Sequence, residues 1–451
     1  MDSVFDEEHL YRTYFRLSIP VVLSMVVTLV YNLADTYFIA QTGNTALIAG
    51  VSLCAPVFTA LMAFGNIFGQ GGSSLVSRML GKQDRDGVRH VSSFCFYAAI
   101  IVGALLAIMM TVFHQPLLQL LGADDETMEF AYAYYAVLAA GAPIIVLSFI
   151  HSNLVRCEGM AAESMIGNIL GSVINIILDP ILISSFHMGS FGAAAATVIG
   201  YLASVLYFLY ILGRKKTSLS IHPGDARVSG SDLQQILGVG ITAALSNLMQ
   251  SLCVLIANQF LLPYGNDRIA AMGIVLKVNM IAQLMLVGFA FGGVPLFGYL
   301  FGANHEAQLK KLIRFCLIFL TVLSLGLTAL ILLNAPGLMR VFVKDPDMII
   351  NGAAMLRWQA ASTVFAAIVI LMTVLFQAAG NVIPAFILSI SRQGVVYVAA
   401  MVICAKLFGY QGILMSQAAA DIVSALIAIL LIVLFHPFSM QKENELRSQD
   451  A

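Results

Sequence analysis

The chain has 451 residues, of which 60% are hydrophobic and only 10% are charged, and its formal net charge is −1. Soluble domains carry about 25% charged residues, so this composition, with a mean hydropathy of +0.91, predicts an all-α protein that crosses a membrane many times. The near-neutral charge argues against nucleic acid as a partner.

Runs of about twenty apolar residues, the length that crosses a bilayer as a helix, occur twelve times. The predicted spans are 15–39, 48–69, 91–113, 131–153, 164–185, 191–212, 235–262, 270–291, 313–333, 355–378, 383–405 and 412–435. The longest and most polar connection divides them six and six. The predicted parts are an N-terminal six-helix lobe (1–213), a cytoplasmic linker (214–234), a C-terminal six-helix lobe (235–436) and a cytoplasmic tail (437–451).

The distribution of positive charge predicts the orientation of the chain. With the N-terminus inside, 17 Lys and Arg residues fall in inner segments and 5 in outer ones. This asymmetry predicts a multi-pass protein of the cell membrane with both termini in the cytoplasm. The inner set includes Lys215, Lys216, Arg392, Lys442 and Arg447. The acidic start, with Asp2 and Glu7, does not resemble a cleavable signal peptide.

The two halves of the sequence repeat. The segment GGSSLVSRMLGKQD, from Gly71, aligns with GGVPLFGYLFGANH, from Gly292, at an offset of 221 residues. The same offset aligns LVRCEG (154–159) with LFQAAG (375–380). Two copies of an even number of helices enter the membrane from the same side, so we predict a pseudo-two-fold axis along the membrane normal. A cleft between the copies would permit alternating access.

Acidic residues within apolar spans are the strongest functional signal. A charged Asp inside a membrane costs about 2.5–3.5 kcal/mol on insertion scales, so Asp35 and Asp179 are expected to face protein or water. Asn175 lies one helical turn before Asp179, and Pro180 is expected to bend the helix. We predict that these side chains form one proton or cation site in the first lobe. The alternative is that each carboxylate reaches the headgroups and is solvated; Asp421 is left open between the two.

The second half offers candidates for a substrate cavity. Lys277 is a lone cation within a predicted span, and it either pairs with a carboxylate or lines the cavity. Met280 and Met285 are candidate lining residues because methionine adapts to varied apolar ligands, although packing against helices or lipid is the alternative. Arg156 and Glu158 are interpreted as a loop ion pair rather than a ligand site.

Motifs for cofactor or enzyme chemistry are missing from the sequence. The six cysteines include no CxxC pair, so they are interpreted as small apolar residues or free thiols. There is no GxxxxGK[ST], HExxH or GxSxG motif. We therefore expect no ATP-driven pumping, no cofactor, no resident metal and no enzymatic activity.

Several of these residues resemble those of a known family. Pro20 and Asp35 in the first span, RCEG at 156–159 and the NxxxDP pattern from Asn175 to Pro180 look like the multidrug and toxic compound extrusion (MATE) transporters. The resemblance covers about residues 10–436. It implies two six-helix bundles that export small cationic or amphipathic molecules in exchange for H+ or Na+. Carried over by position, the coupling site is Asp35, Asn175, Asp179 and Thr197, with Asn153 as a weaker match.

The resemblance also indicates a branch of the family. Gln250 stands at the seventh-helix position where another branch has an acid, which favours the MepA-like and DNA-damage-inducible branch. Gln250 joins Lys277, Met280 and Met285 as a cavity candidate, Pro20 is the candidate hinge, and Na+ binding at Asp35 and Asp179 is left open. We expect a monomer. The alternatives are a lipid-linked oligosaccharide flippase, an unrelated twelve-span carrier and a channel.

Overall fold

The computed structural model describes residues 8–214 and 217–435, and every regular element in these ranges is helical. The α-helices in chain order are α1 Leu10–Ala40, α2 Thr45–Leu53, α3 Ala55–Gly81, α4 Arg85–Val112, α5 His114–Leu120, α6 Met128–Cys157, α7 Ala161–Asp179, α8 Gly189–Arg214, α9 Gly230–Leu261, α10 Asn266–Gly292, α11 Val294–Gly302, α12 Glu306–Phe342, α13 Pro346–Ala379, α14 Val382–Ile390 and α15 Val396–Phe435. The predicted acidic start, Lys215, Lys216 and the tail with Lys442 and Arg447 lie outside the described residues.

The membrane-spanning helices confirm the predicted fold class. Within the described ranges, eleven helical segments are long and apolar enough to cross a membrane. The last of them, Val382–Phe435, has 54 residues, which is enough for two crossings. Its backbone breaks at Gly409, where φ is 56° and ψ is −131°, a conformation that glycine adopts without a Cβ clash. The segment therefore accounts for the last two of the twelve predicted spans.

The described residues form two compact units. The first unit comprises residues 19–244, and the second comprises residues 8–18 together with 245–435. The division therefore falls within α1 and α9, not in the polar connection at 214–234. In the second unit, the Tyr14 hydroxyl donates a hydrogen bond to the Phe289 carbonyl at 2.9 Å. This bond ties the start of α1 to the end of α10.

Repeated glycines allow close backbone contacts inside each unit. In the first unit, a Cβ built on Gly71 would lie 2.0 Å from the Ile236 carbonyl oxygen, and one on Gly240 would lie 1.9 Å from the Ile67 carbonyl oxygen. In the second unit, a Cβ on Gly292 would lie 2.3 Å from Ser18 Cα. Gly71 and Gly292 are the pair that the repeat aligns. In both copies, the same glycine position lets the first part of a long helix pack closely against it.

One helix is central in each unit. Among the candidate spans, α6 and α13 have the largest buried shares, and the repeat offset superposes most of one on the other. In α6, the small residues Ala139, Gly141 and Ala142 are buried, which lets α8 pack closely against it. All six cysteines lie in described residues and are free.

The polar connection is bound to the first unit. Its backbone carbonyls accept hydrogen bonds from Tyr97 at 3.0 Å and from Ser93 at 2.7 Å. Asp225 forms an ion pair with Arg89 at 3.2 Å. A hydrogen bond from Ser220, together with the charge of Arg89, lowers the pKa of Asp225. The connection is thus held along the first turns of α4.

The predicted ion pair between Arg156 and Glu158 is wrong. The Glu158 carboxylate instead accepts hydrogen bonds from the Thr217 hydroxyl and the Ser218 backbone amide. Burial raises the pKa of Glu158, and these two hydrogen bonds offset part of that rise. Arg156 donates to the Asn153 side-chain oxygen. Glu158 therefore anchors the polar connection, because donors from that connection bind its carboxylate while Arg156 binds Asn153.

Candidate functional site

Helices α7 and α8 touch through their backbones, and this contact positions the site. A Cβ on Gly171 would lie 2.7 Å from the Gly200 carbonyl oxygen, and one on Gly200 would lie 2.6 Å from that of Gly171. Ser204 Oγ adds a 2.8 Å hydrogen bond to the Gly167 carbonyl. Glycine-mediated approach is a common way for membrane helices to associate. It brings the side chains one turn further along α7 against α8.

The regular α-helix ends at Asp179, where the sequence predicts a bend. Pro180 has no N–H to donate to the preceding turn, and the chain continues as a π-helical segment, Pro180–Ser185. The backbone amide of Phe186 bonds to the Ile181 carbonyl, five residues back, at 2.9 Å. Single π-helical turns are frequent at functional sites. Here the turn leaves Asp179 at the end of α7.

The carboxyl groups of Asp35 and Asp179 meet in the first unit. Asp35 lies five residues before the end of α1, and Asp179 has 0% exposure. Their carboxyl groups are close enough to interact electrostatically. No donor from another described residue reaches either oxygen of Asp179 or Oδ1 of Asp35. Ionised carboxylates only accept hydrogen bonds, so a bond between the two requires one proton.

Asn175 adds a further buried acceptor. Its Nδ2 donates to Thr197 Oγ1 at 3.3 Å, and the Thr197 hydroxyl donates to the Ala193 carbonyl at 3.1 Å. The Asn175 side-chain oxygen is buried and receives no hydrogen bond from the described chain. Together with the two carboxyls it gives a set of oxygen acceptors with no donors, which is the environment that a proton or a hard cation requires.

Tyrosines that were not predicted surround these acids. Tyr31 and Tyr134 are each 8% exposed, and both interact electrostatically with Asp35. Tyr201 packs against Phe149, with ring centroids 5.7 Å apart. Tyr31 lies four residues before Asp35, so helical spacing could have identified it; no local signal marks Tyr134.

Two other predicted residues lie apart from the acids. The Asn153 amide donates to the Phe149 carbonyl at 2.7 Å and its oxygen accepts from Arg156, so its polar atoms are engaged near the end of α6. Pro20 lies inside α1, two residues after the boundary between the compact units. There it removes one backbone hydrogen bond from the helix.

The second unit contains a cavity of about 100 Å³. Gln250 is the one predicted cavity residue among its lining residues. Lys277 is exposed, Met280 is 40% exposed and Met285 is half-buried, and none of these three lines the cavity.

An ion pair lies in the lining of this cavity. Arg392 Nε donates to Asp421 Oδ1 at 3.0 Å, and the Asp421 side chain is fully buried. The prediction of a cytoplasmic Arg392 is therefore wrong, because Arg392 lies in a π-helical segment, Ser391–Val395, between two apolar helices. The nearby carboxylate makes the cation tolerable at that position.

Comparisons with known proteins agree with this architecture. The family model MatE matches twice, over residues 20–181 and 242–403, which confirms the internal repeat. The chain is 30% identical over 428 residues to the multidrug export protein MepA of Staphylococcus haemolyticus, covering 95% of this chain and 94% of the relative. It is 32% identical over 431 residues to MepA of Staphylococcus saprophyticus, covering 95% of each. A crystal structure of MATE in the bent conformation matches with a TM-score of 0.89 and 28% identity, covering 96% of both chains.

These matches span nearly the whole length of the chain and of its relatives. They agree with the resemblance to MepA-like members that the sequence patterns indicated. An integral membrane protein built from two copies of one helical unit is the architecture that both the geometry and the comparisons give. The chain therefore belongs to the MatE family, the MATE transporters.

Proposed function

We propose that this chain is a secondary active multidrug exporter, which exchanges small cationic or amphipathic compounds for H+ or Na+ by alternating access. The multidrug export named for its MepA relatives supports the substrate class. The observation that carries the coupling mechanism is the proximity of the Asp35 and Asp179 carboxyl groups, which interact electrostatically and whose buried oxygens lack donors.

Electrostatics links the occupancy of this site to the position of its helices. Two unit charges 4 Å apart repel by about 4 kcal/mol at an effective dielectric constant of 20. The close pair is therefore stable while a cation is bound and unstable when both carboxylates are ionised. Loss of the cation favours an arrangement in which α1 carries Asp35 away from Asp179. Pro20 gives α1 a point at which it can bend.

The cation gradient supplies the energy. One charge that moves inward through about 100 mV provides about 2.3 kcal/mol, which sustains close to a fiftyfold gradient of an exported neutral compound. A one-for-one exchange for a compound with one positive charge is electroneutral, so the concentration gradient of H+ or Na+ then supplies the energy. Cation binding from the outside and cation release to the inside would drive the conformational change that exports the drug. In this proposal both termini are cytoplasmic and the monomer is the functional unit.

The second-unit cavity argues against the flippase alternative. A pyrophosphate-linked lipid needs a site with a large excess of positive charge. In the described chain, the cavity's Arg392 is paired with Asp421. A neutral ion pair gives no such excess.

The test is efflux of rhodamine 6G, a lipophilic cationic dye, from proteoliposomes that contain the purified protein. A pH gradient and a Na+ gradient are imposed separately, each with a matched sample in which an ionophore removes it. We expect concentrative dye movement under at least one gradient and none after its collapse. Dye movement that is equally fast without any gradient would indicate a channel or passive carrier instead.

A further inference from the structure

The cavity of the second unit has features that the proposed coupling mechanism does not use. It lies among α9, α10, α13 and α15, and its walls include five glutamine side chains besides Asn279, Arg392 and Asp421. These are Gln250, Gln283, Gln359, Gln393 and Gln417. Apolar residues complete the wall, among them Met272, Leu276, Tyr397 and Met401. A cavity with one buried ion pair, many amides and an apolar side has the mixed polar and apolar lining of a small-molecule site.

A break in the helix directs Arg392 toward this cavity. Gln393 and Gly394 have non-helical backbone angles, with φ/ψ of −119°/25° and −144°/−112°. Cys253 Sγ donates to the carbonyl of Gln393 at 3.0 Å, which fixes the broken turn against α9. Discontinuous helices in transporters line binding sites near the middle of the membrane. The break therefore places Arg392 in the kind of position where transporter helices bind ligands.

The ion pair leaves one carboxylate oxygen unused. Asp421 Oδ1 accepts from Arg392 Nε at 3.0 Å and from Gln417 Nε2 at 3.2 Å. Asp421 Oδ2 is buried and accepts no hydrogen bond from the described residues. Ser362 interacts with the Asp421 side chain, and its hydroxyl donates to the Gln359 carbonyl at 2.9 Å. The side-chain oxygen of Asn279, which is 6% exposed, is also without a donor in residues 217–435.

We propose that this cavity binds the N–H-bearing cationic head group of a transported compound, an amidinium or a primary ammonium. Asp421 Oδ2 and the Asn279 oxygen accept its hydrogen bonds, and the apolar wall contacts the attached ring or chain. This inference rests on the proposed function only where it treats the ligand as a compound that the protein transports. The binding itself requires neither a gradient nor the acids of the first unit.

The chemistry of the unused atoms selects this ligand class. A lone carboxylate oxygen and a lone amide oxygen both require donors, and burying them without donors costs free energy. A carboxylate has two oxygens and can bridge two cationic groups. Arg392 already occupies one oxygen, so the ligand takes the other. A quaternary ammonium has no N–H and leaves both acceptors unsatisfied.

The test is isothermal titration calorimetry of the full-length protein in detergent, without a membrane gradient. The probes are benzamidinium and phenyltrimethylammonium, which have the same charge and similar size but differ in N–H donors. We expect wild type to bind benzamidinium more tightly by about tenfold or more. Asp421→Asn should weaken benzamidinium binding by about tenfold or more. Asp225→Asn, the same change at a half-buried acid of the polar connection, should leave it unchanged.

The variant of Arg392 separates a ligand site from a merely structural ion pair. Arg392→Gln removes the competing cation, so it should tighten benzamidinium binding, whereas a structural role predicts that both single variants weaken it. If Arg392→Gln does not fold, the neutral double variant Arg392→Gln/Asp421→Asn, which leaves no buried charge unpaired, is compared with wild type. It should fold and lose the preference for benzamidinium.

Four results would overturn the proposal. They are equal binding of the two probes by wild type, unchanged benzamidinium binding by Asp421→Asn, weaker benzamidinium binding by folded Arg392→Gln, and a preference for benzamidinium that persists in the folded double variant. A failure of gradient-driven dye efflux leaves this measurement unaffected, so the two proposals fail separately.

Discussion

Asp179→Asn is expected to reduce the initial rate of gradient-driven dye efflux by about tenfold or more. The amide has the shape of the carboxyl group but cannot ionise, and its N–H can donate permanently to Asp35 in place of the exchanged cation. The pair should then remain in the close arrangement that the structure shows. Asp35→Asn should act in the same way, because either amide satisfies the other acid.

The measurement is rhodamine 6G efflux from proteoliposomes under the gradient that drives wild type. The matched control is Asp225→Asn, whose acid lies on the polar connection far along the chain from either site residue and pairs with Arg89. It should transport at the wild-type rate. Thermal unfolding in detergent shows whether each variant folds. Wild-type efflux rates in folded Asp35→Asn and Asp179→Asn would contradict the coupling role of these acids.

Gly240→Ala is expected to destabilise the first unit by about 2–3 kcal/mol, at the upper end of the cost of overpacking a core. The added Cβ would lie 1.9 Å from the Ile67 carbonyl oxygen and 2.7 Å from Ile67 Cα. These are backbone atoms, so no side-chain rotation relieves the contact, and α3 and α9 must separate. Gly71→Ala should have a similar effect, with its Cβ 2.0 Å from the Ile236 carbonyl oxygen.

The measurement is the midpoint of thermal unfolding of the purified protein. Gly326→Ala is the control, because a Cβ at Gly326 in α12 meets no atom of another described helix within 4 Å. Alanine favours a helix over glycine by about 1 kcal/mol, so this control should be unchanged or slightly stabilised. Equal midpoints for Gly240→Ala and Gly326→Ala would show that the close contact does not limit stability.

Much of the architecture could be predicted because it depends on simple quantities. The length of the apolar runs predicts the spans, and the constant offset predicts the repeat. In the structure, the aligned glycines Gly71 and Gly292 both make a close contact with the backbone of another helix. The proximity of Asp35 and Asp179 was predictable because an acidic side chain within the membrane costs free energy unless it faces protein or water. That argument needs no knowledge of the fold.

The parts that were missed depend on contacts between distant residues. Arg392 was assigned to the cytoplasm because positive charges usually mark loops, and its partner Asp421 lies 29 residues further along. Tyr134 was missed because a tyrosine in an apolar helix is common. Asn153 fits the family pattern by position, yet its polar atoms bind Phe149 and Arg156. Only the packed structure reveals these partners.

The central claim is that Asp35 and Asp179 hold a cation that is exchanged for the transported compound. The direct test is to add rhodamine 6G to the weakly buffered, detergent-solubilised protein and to record H+ with an indicator dye and Na+ with an ion-selective electrode. Wild type should release about one H+ or Na+ per dye molecule bound, as expected for antagonistic binding linked through one site, and Asp179→Asn should release none. Dye binding by wild type without release of either ion, or undiminished release from the variant, would contradict the account.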